Sequence, residues 1–171
     1  MINLDQINSI NWNNQQVGIL GAGVSGLGAA KLARYLKMKV LLSDSKINTI
    51  ELKTTSEFQF ECGHSKRILD SDFIIKSPGI SNQSNIVKSC IKKNIPIVSE
   101  IEFASWFSNS EIIAVTGSNG KTTTVNLLFE ILKNAGVELK LGGNIGTSYS
   151  ENVLEELKNN QKIIRSEEHT S

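Results

Sequence analysis

Short apolar runs alternate with longer stretches of helical spacing along the chain. Val17-Gly18-Ile19-Leu20 is such a run and ends in glycines, the pattern of a buried parallel strand. Gly21-Ala22-Gly23-Val24-Ser25-Gly26 follows, then a helical stretch to Leu36 with Gly28, Leu32 and Leu36 on one stripe and Ala29 and Ala33 beside it. Lys39-Val40-Leu41-Leu42 reads as the next strand, closed by Ser43-Asp44-Ser45. Strand, helix and strand make one βαβ unit of about 30 residues.

The alternation continues. Phe58–Glu61 and Phe73–Lys76 read as strands, with Cys62–Lys66 a loop and Ser77-Pro78-Gly79 a turn. Ile86, Val87, Cys90 and Ile91 have helical spacing that stops at Asn94. Ile95–Val98 reads as a strand with Pro96 near its start, and Ile101–Phe107 as a short amphipathic helix. Such alternation predicts a parallel α/β sheet with right-handed crossovers.

Ser108-Asn109-Ser110 is a polar break, and a domain boundary is placed there. Beyond it, Ile112–Val115 reads as a strand and Thr116–Thr124 as a loop running into a helix. That helix has an apolar face of Leu127, Leu128, Ile131, Leu132 and Ala135, with Gly136 as its stop. Glu138–Leu141 is a further strand, Gly142–Gly146 a tight loop, Asn152–Lys158 a helix, and Ile163-Ile164 the opening of another strand. The expected organisation is one α/β domain in residues 1–107 and the truncated start of a second in 111–164. A unit of roughly sixty residues buries too little surface to fold easily alone. Arg165–Ser171 breaks the strand pattern and resembles a translated sequencing-library adapter, so it is read as a non-native tail in which His169 has no function; an ordinary charged tail is the competing reading.

Composition narrows the function classes. Eighteen Lys and Arg against seventeen Asp and Glu leave a net charge of +1, without the basic surplus that a nucleic-acid binder needs. The 39% hydrophobic content is enough for a core. Cys62 and Cys90 lack CxxC spacing and read as reduced packing residues. His64 reads as a loop histidine, and no cluster of His and Cys suits a metal. The polar, Asn-rich start is not a signal peptide, and no run approaches the ~20 apolar residues that span a bilayer. A cytoplasmic, monomeric protein without membrane insertion is expected.

The strongest chemical signal is Thr116-Gly117-Ser118-Asn119-Gly120-Lys121-Thr122-Thr123, between an apolar strand and a helix. Phosphate binding needs backbone N–H groups aimed at the anion, and glycines let the main chain come close. Lys121 can bridge β- and γ-phosphate oxygens, and the Thr122 hydroxyl can ligate Mg²⁺. The strict GxxxxGK[ST] pattern wants glycine where Val115 stands, so this is a variant P-loop.

Gly21, Gly23 and Gly26 form GxGxxG after a predicted strand, and Asp44 follows at a strand end. That context fits a dinucleotide, or any ligand with a pyrophosphate and a ribose such as a UDP-sugar. A ligand-free tight turn remains an alternative, as does a merely solvated Asp44. Ser77-Pro78-Gly79-Ile80 lies at the same sheet edge, where parallel sheets bind ligands. Gly142-Gly143-Asn144-Ile145-Gly146 presents one short amide among glycines, suited to a ligand contact or to a simple turn.

As a set, these motifs resemble the Mur ligases, the ATP-dependent amino-acid ligases of peptidoglycan precursor synthesis. Thr116–Thr123 is similar to their ATP loop. The GAGVSG, Ser43-Asp44, SPGI and GGNIG segments look most like the branch that joins D-glutamate to UDP-N-acetylmuramoyl-L-alanine, with the branch that adds L-alanine to UDP-N-acetylmuramate as the nearest alternative. The resemblance implies a Rossmann-like N-terminal domain for the UDP-muramoyl substrate and a P-loop-type α/β domain for ATP and Mg²⁺. A third domain would bring D-glutamate.

The implied reaction activates the alanyl carboxylate as an acyl phosphate, which the amine of D-glutamate then attacks. Gly117, Ser118, Asn119, Gly120, Lys121, Thr122 and Thr123 would bind ATP, with Thr122 on Mg²⁺. Gly21, Gly23, Val24, Ser25, Gly26, Asp44, Ser45, Lys46, Ser77, Pro78, Gly79 and Asn144 would hold the UDP-muramoyl substrate. Lys121 and Asn144 would be the catalytic side chains. A chain lacking the remaining family motifs is expected not to catalyse ligation itself. An NAD-binding oxidoreductase would use GxGxxG and Asp44 equally well, but leaves the loop at Gly117–Thr122 unexplained.

Overall fold

The computed structural model describes residues 10–45, 58–143 and 147–159, together with the backbone of 164–169. The first sheet has five parallel strands in the order β3-β2-β1-β4-β5. These are β1 (Gln16–Leu20), β2 (Lys39–Asp44), β3 (Gln59–Cys62), β4 (Phe73–Lys76) and β5 (Ile97–Ser99). Helix α1 (Val24–Tyr35) follows β1, α2 (Asn85–Lys92) precedes β5, and α3 (Glu100–Ser105) follows it. The strand order reverses direction at β1 and β4, so the carboxyl ends of these two neighbours open a crevice.

Strand alternation sorts the core into two faces. Val17 and Ile19, Val40 and Leu42, Phe73 and Ile75 pack with Ala29, Ala30, Leu32 and Ala33 of α1. Leu20, Leu41 and Ile74 point the other way, onto Ile68, Val87 and Cys90. Cys90 is the buried packing residue expected, whereas Cys62 is exposed. Its place at the end of an edge strand leaves nothing to cover it.

The second sheet is also parallel, in the order β6-β8-β7, from β6 (Ile112–Thr116), β7 (Leu139–Gly143) and β8 (Ile164–His169). Helix α4 (Lys121–Asn134) follows β6, and Gly136 sits past its end at φ 78°, as a C′ glycine should. Two expectations change here. Gly142 and Gly143 extend β7 instead of opening a loop. The apolar stripe of α4 is largely uncovered, since Leu127 and Ile131 are exposed and Val125 alone in this helix is buried. Three strands offer too little sheet to cover that stripe. The backbone of Arg165–His169 lies in β8, paired on both sides, where the sequence pattern alone breaks after Ile164.

Helix α5 (Tyr149–Asn159) joins the two units. It follows β7 in sequence, yet Tyr149 and Val153 lie in the core of the first sheet's α1 face. Its first turn begins earlier than apolar spacing predicts, because Ser148 and Glu151 form a capping pair. The Glu151 amide donates to Ser148 Oγ at 3.2 Å. Gly28 of α1 lets the helices meet, for a Cβ there would come within 1.8 Å of Ser148 Oγ. Lys31 bridges to Glu151 at 2.5 Å.

Two buried carboxylates complete the docking. Glu100 accepts the Ser150 amide at 2.5 Å, and Glu156 accepts the Ser108 hydroxyl at 2.8 Å and the Asn109 amide at 3.0 Å. Burial pushes the Glu100 carboxyl above its ordinary value of 4.5; hydrogen bonds from Ser150 oppose that and the charge of Glu151 adds to it. The folded state therefore holds this proton more tightly than the unfolded one. Glu100 should contribute stability at low pH that is lost as pH rises from about 4.5 through the raised value. Urea unfolding across pH is expected to show that slope in the wild type and a shallower one in Glu100→Gln, which keeps an acceptor for the Ser150 amide. Glu100→Ala, which removes it, should cost about 1–3 kcal/mol.

Candidate functional site

The carboxyl ends of β1, β2 and β4 converge on one turn. Gly21, at φ 98°, bends the chain out of β1 in a conformation that L side chains rarely adopt. Its amide donates to the Ser43 carbonyl at 2.8 Å, and the next amide, of Ala22, donates to the Asp44 carboxylate at 2.6 Å. On the other side the Ser77 amide donates to the Leu20 carbonyl at 2.9 Å. The Ser77 hydroxyl reaches the Gly21 carbonyl at 3.4 Å. The Lys76 ammonium donates to the Ile80 carbonyl at 2.8 Å and closes the Ser77–Ile80 turn.

The three motif glycines carry different duties. A Cβ on Gly21 would meet Ser77 Oγ at 2.7 Å, and one on Gly26 would meet the Gly21 carbonyl oxygen at 1.8 Å. Both are therefore required by the fold. Gly23 is not: its φ is an ordinary −74°, and a Cβ there would meet nothing within 4 Å. It caps α1 without a side-chain hydrogen bond, and the first turn of α1 holds no acidic residue. A glycine demanded by neither dihedral nor packing keeps open the space in front of a helix N-terminus, where an anion is favoured.

A cavity of about 780 Å³ lies against α2 and the edge strand β5, where Val87, Ile91 and Ile97 line it, and reaches the glycine turn at Ser25. Ser25, Lys76, Pro78, Asn82, Glu100 and Gly143 are among its lining. The structure thus gathers Gly21–Gly26, Asp44, Ser45 and Ser77–Gly79 at one sheet edge, with β7 of the second unit facing it through Gly143. Lys46 and Asn144 lie outside the described residues.

The second candidate, Gly117–Thr123, leaves the carboxyl end of β6 and enters α4. Gly117 to Gly120 are exposed, and Gly120 caps the helix at φ 79° with no residue in Cβ range. Lys121 folds its ammonium back onto the Gly117 carbonyl, across the mouth of the loop. Thr122 follows in the first turn of α4. An open loop, a helix N-terminus and a lysine over both fit the phosphates of a nucleotide. Among the described residues no group of three or more His, Cys, Asp or Glu could hold a metal ion. No described helix is long and apolar enough to cross a membrane.

The sequence reading gave no site role to three residues of this region: Glu100 in the cavity wall, Lys76 behind the Ser77 turn, and the buried Ser43. Of these, only Ser43 left a trace, as a polar residue directly after the apolar run Val40–Leu42.

Comparison with known proteins agrees in both units. Residues 15–99 match the family description "Mur ligase MurD-like, N-terminal domain", and residues 115–170 match "Mur ligase middle domain". The UDP-N-acetylmuramoylalanine--D-glutamate ligase of Christiangramia forsetii is 42% identical over 148 residues, covering 84% of this chain and 33% of that protein. Its namesake from Bacteroides fragilis is 40% identical over 147 residues, covering 83% and 33%. The chain spans about a third of the length of these curated relatives. A murein peptide ligase from Psychrobacter arcticus shares the fold, with a TM-score of 0.58 at 21% identity over 92% of this chain and 38% of that one.

The unequal duties of the glycines are testable by urea unfolding. Gly26→Ala should cost about 1–3 kcal/mol, because its methyl group meets backbone. Gly23→Ala should cost no more than about 1 kcal/mol, the difference between glycine and alanine as a cap.

Proposed function

The chain belongs to the Mur ligase family of ATP-dependent, amide-forming ligases, and on that premise we propose that it is the substrate- and nucleotide-binding part of an enzyme adding D-glutamate to UDP-N-acetylmuramoyl-L-alanine. The observation that carries this reading is Gly23, whose missing side chain serves no need of the fold and leaves the turn open to a diphosphate. The relatives bearing that enzyme's name support the choice of substrate.

On this reading the N-terminus of α1, from Gly23 to Gly26, holds the diphosphate, since the amides of Gly21 and Ala22 are already given to Ser43 and Asp44. Asp44 and Ser45 face the nucleoside, with Lys46 beside them in the sequence. Ser77, Pro78 and Gly79 close the opposite wall. The cavity toward Gly143 takes the muramoyl group, and Asn144, next in the sequence, would contact it near the reacting alanyl carboxylate. Bound at the second loop, ATP would supply the phosphoryl group that activates this carboxylate, and a bound Mg²⁺ would supply positive charge against its phosphates. Gly117–Gly120 and Thr123 would orient the phosphates through the loop and helix N-terminus, Lys121 would stabilise charge on the transferring group, and Thr122 would hold the magnesium. Nothing in this arrangement calls on the membrane or a nucleic acid, and a cytoplasmic monomer suits it.

Binding tests this without requiring turnover. Isothermal titration should show UDP-N-acetylmuramoyl-L-alanine and UDP binding to the 171-residue chain and NADH failing to compete. Gly23→Ala should weaken UDP at least about tenfold, roughly 1.4 kcal/mol. Preference for NADH, or a Gly23→Ala variant that binds UDP normally, would contradict the reading. Lys121→Ala should weaken MgATP while leaving UDP binding unchanged; equal loss of both ligands would contradict two separate sites.

A further inference from the structure

His64 follows Gly63 at the end of β3, and both are left-handed, at φ 42° and 90°. Glycine adopts that conformation freely, while a histidine there is strained and needs something to hold it. What holds it is Ser43. The Ser43 side chain is wholly buried, and its Oγ lies 2.8 Å from His64 Nδ1 and 3.0 Å from Glu61 Oε1. Glu61 also accepts the Ser65 amide at 2.9 Å and the Ser65 hydroxyl at 2.5 Å.

These contacts have a direction. Partial burial of Glu61 would raise its carboxyl, but hydrogen bonds from Ser65 and Ser43 and the charge of Arg67 outweigh it and hold Glu61 below its ordinary value. An ionised carboxylate only accepts. The Ser43 proton therefore goes to Glu61, and Ser43 Oγ takes the proton of His64 Nδ1. This is not a nucleophile with its base: Ser43 is sealed from solvent and its proton is committed to Glu61.

The same strand end carries the ligand edge. The Ser43 carbonyl receives the Gly21 amide, and the Asp44 carboxylate receives the Ala22 amide. From the β3 side, the Gly63 amide binds the Asp44 carbonyl at 2.8 Å. The end of β2 is thus braced between the glycine turn and the left-handed pair Gly63-His64.

We propose that His64 is a positioning residue, which through Ser43 fixes the end of β2 so that Asp44 and the glycine turn are set for a nucleoside diphosphate. The proposal rests on the reading of this edge as a UDP site and adds a residue that never touches the ligand. It separates from a structural role because His64→Gly removes the strain together with the brace.

The test uses the full chain and UDP as the probe. His64→Gly should melt at or above the wild-type temperature, bind MgATP normally, and lose about five- to tenfold in UDP affinity, the worth of roughly one hydrogen bond. His64→Asn tolerates the left-handed backbone and carries an amide N–H near the Nδ1 position, and should restore UDP binding to within about twofold. Nitrogen-15 spectra should show the His64 proton on Nδ1. A His64→Gly variant that binds UDP like the wild type, or a His64 whose Nδ1 carries no proton, overturns the proposal alone. A wild-type chain that binds no UDP overturns the reading of the site beneath it.

Discussion

Helix α1 meets β1 with no room to spare. Its Gly26 stands so near the Gly21 carbonyl that a methyl group would come within 1.8 Å of the oxygen. That approach brings the helix N-terminus over the strand end and leaves Gly23 facing open space. It also aims the Gly21 and Ala22 amides sideways at β2, where Ser43 and Asp44 take them. The crevice between β1 and β4 is the result, and the other wall residues are arranged around it. Close packing at two glycines thus creates the space left at the third.

A second constraint ties the second unit to the first sheet. Helix α5 belongs by sequence to the second unit and by packing to the first. Buried carboxylates fix it at both ends, Glu100 from α3 onto its first turn and Glu156 from its last turns onto the linker at Ser108 and Asn109. A buried charge is costly unless its hydrogen bonds are made, so these contacts hold the helix in one place more than they add stability. Strand β7, which leads toward α5, lines the cavity beside β5 through Gly143. The docking of α5 therefore helps set where the end of β7 lies beside the first sheet.

Local signals were legible in the sequence, and distant ones were not. Apolar runs gave β1, β2 and β4, and the glycine spacing marked the turn that the structure builds between β1 and α1. The start of α5 was missed because apolar spacing is silent at Ser148-Tyr149-Ser150, although Ser148 and Glu151 carry a capping signature. The role of Glu100 depends on Ser150, fifty positions away in the chain, and no periodicity reports such a pair. His64 read as a loop residue because its partner, Ser43, lies across the β2–β3 pairing. The apolar stripe of α4 was read correctly as a pattern, but a pattern does not say that the sheet beside it is wide enough to cover it.

On the function proposed, the edge built by Gly21–Gly26, Asp44 and Ser77 receives a uridine diphosphate group. Amide chemical-shift mapping of the nitrogen-15-labelled chain with UDP tests it most directly. The account predicts that the largest shifts fall on Gly21 to Gly26, Ser43 to Ser45 and Ser77 to Gly79, with Gly117 to Thr123 unmoved. Shifts confined to Gly117–Thr123, or none along the first sheet's edge, would contradict it.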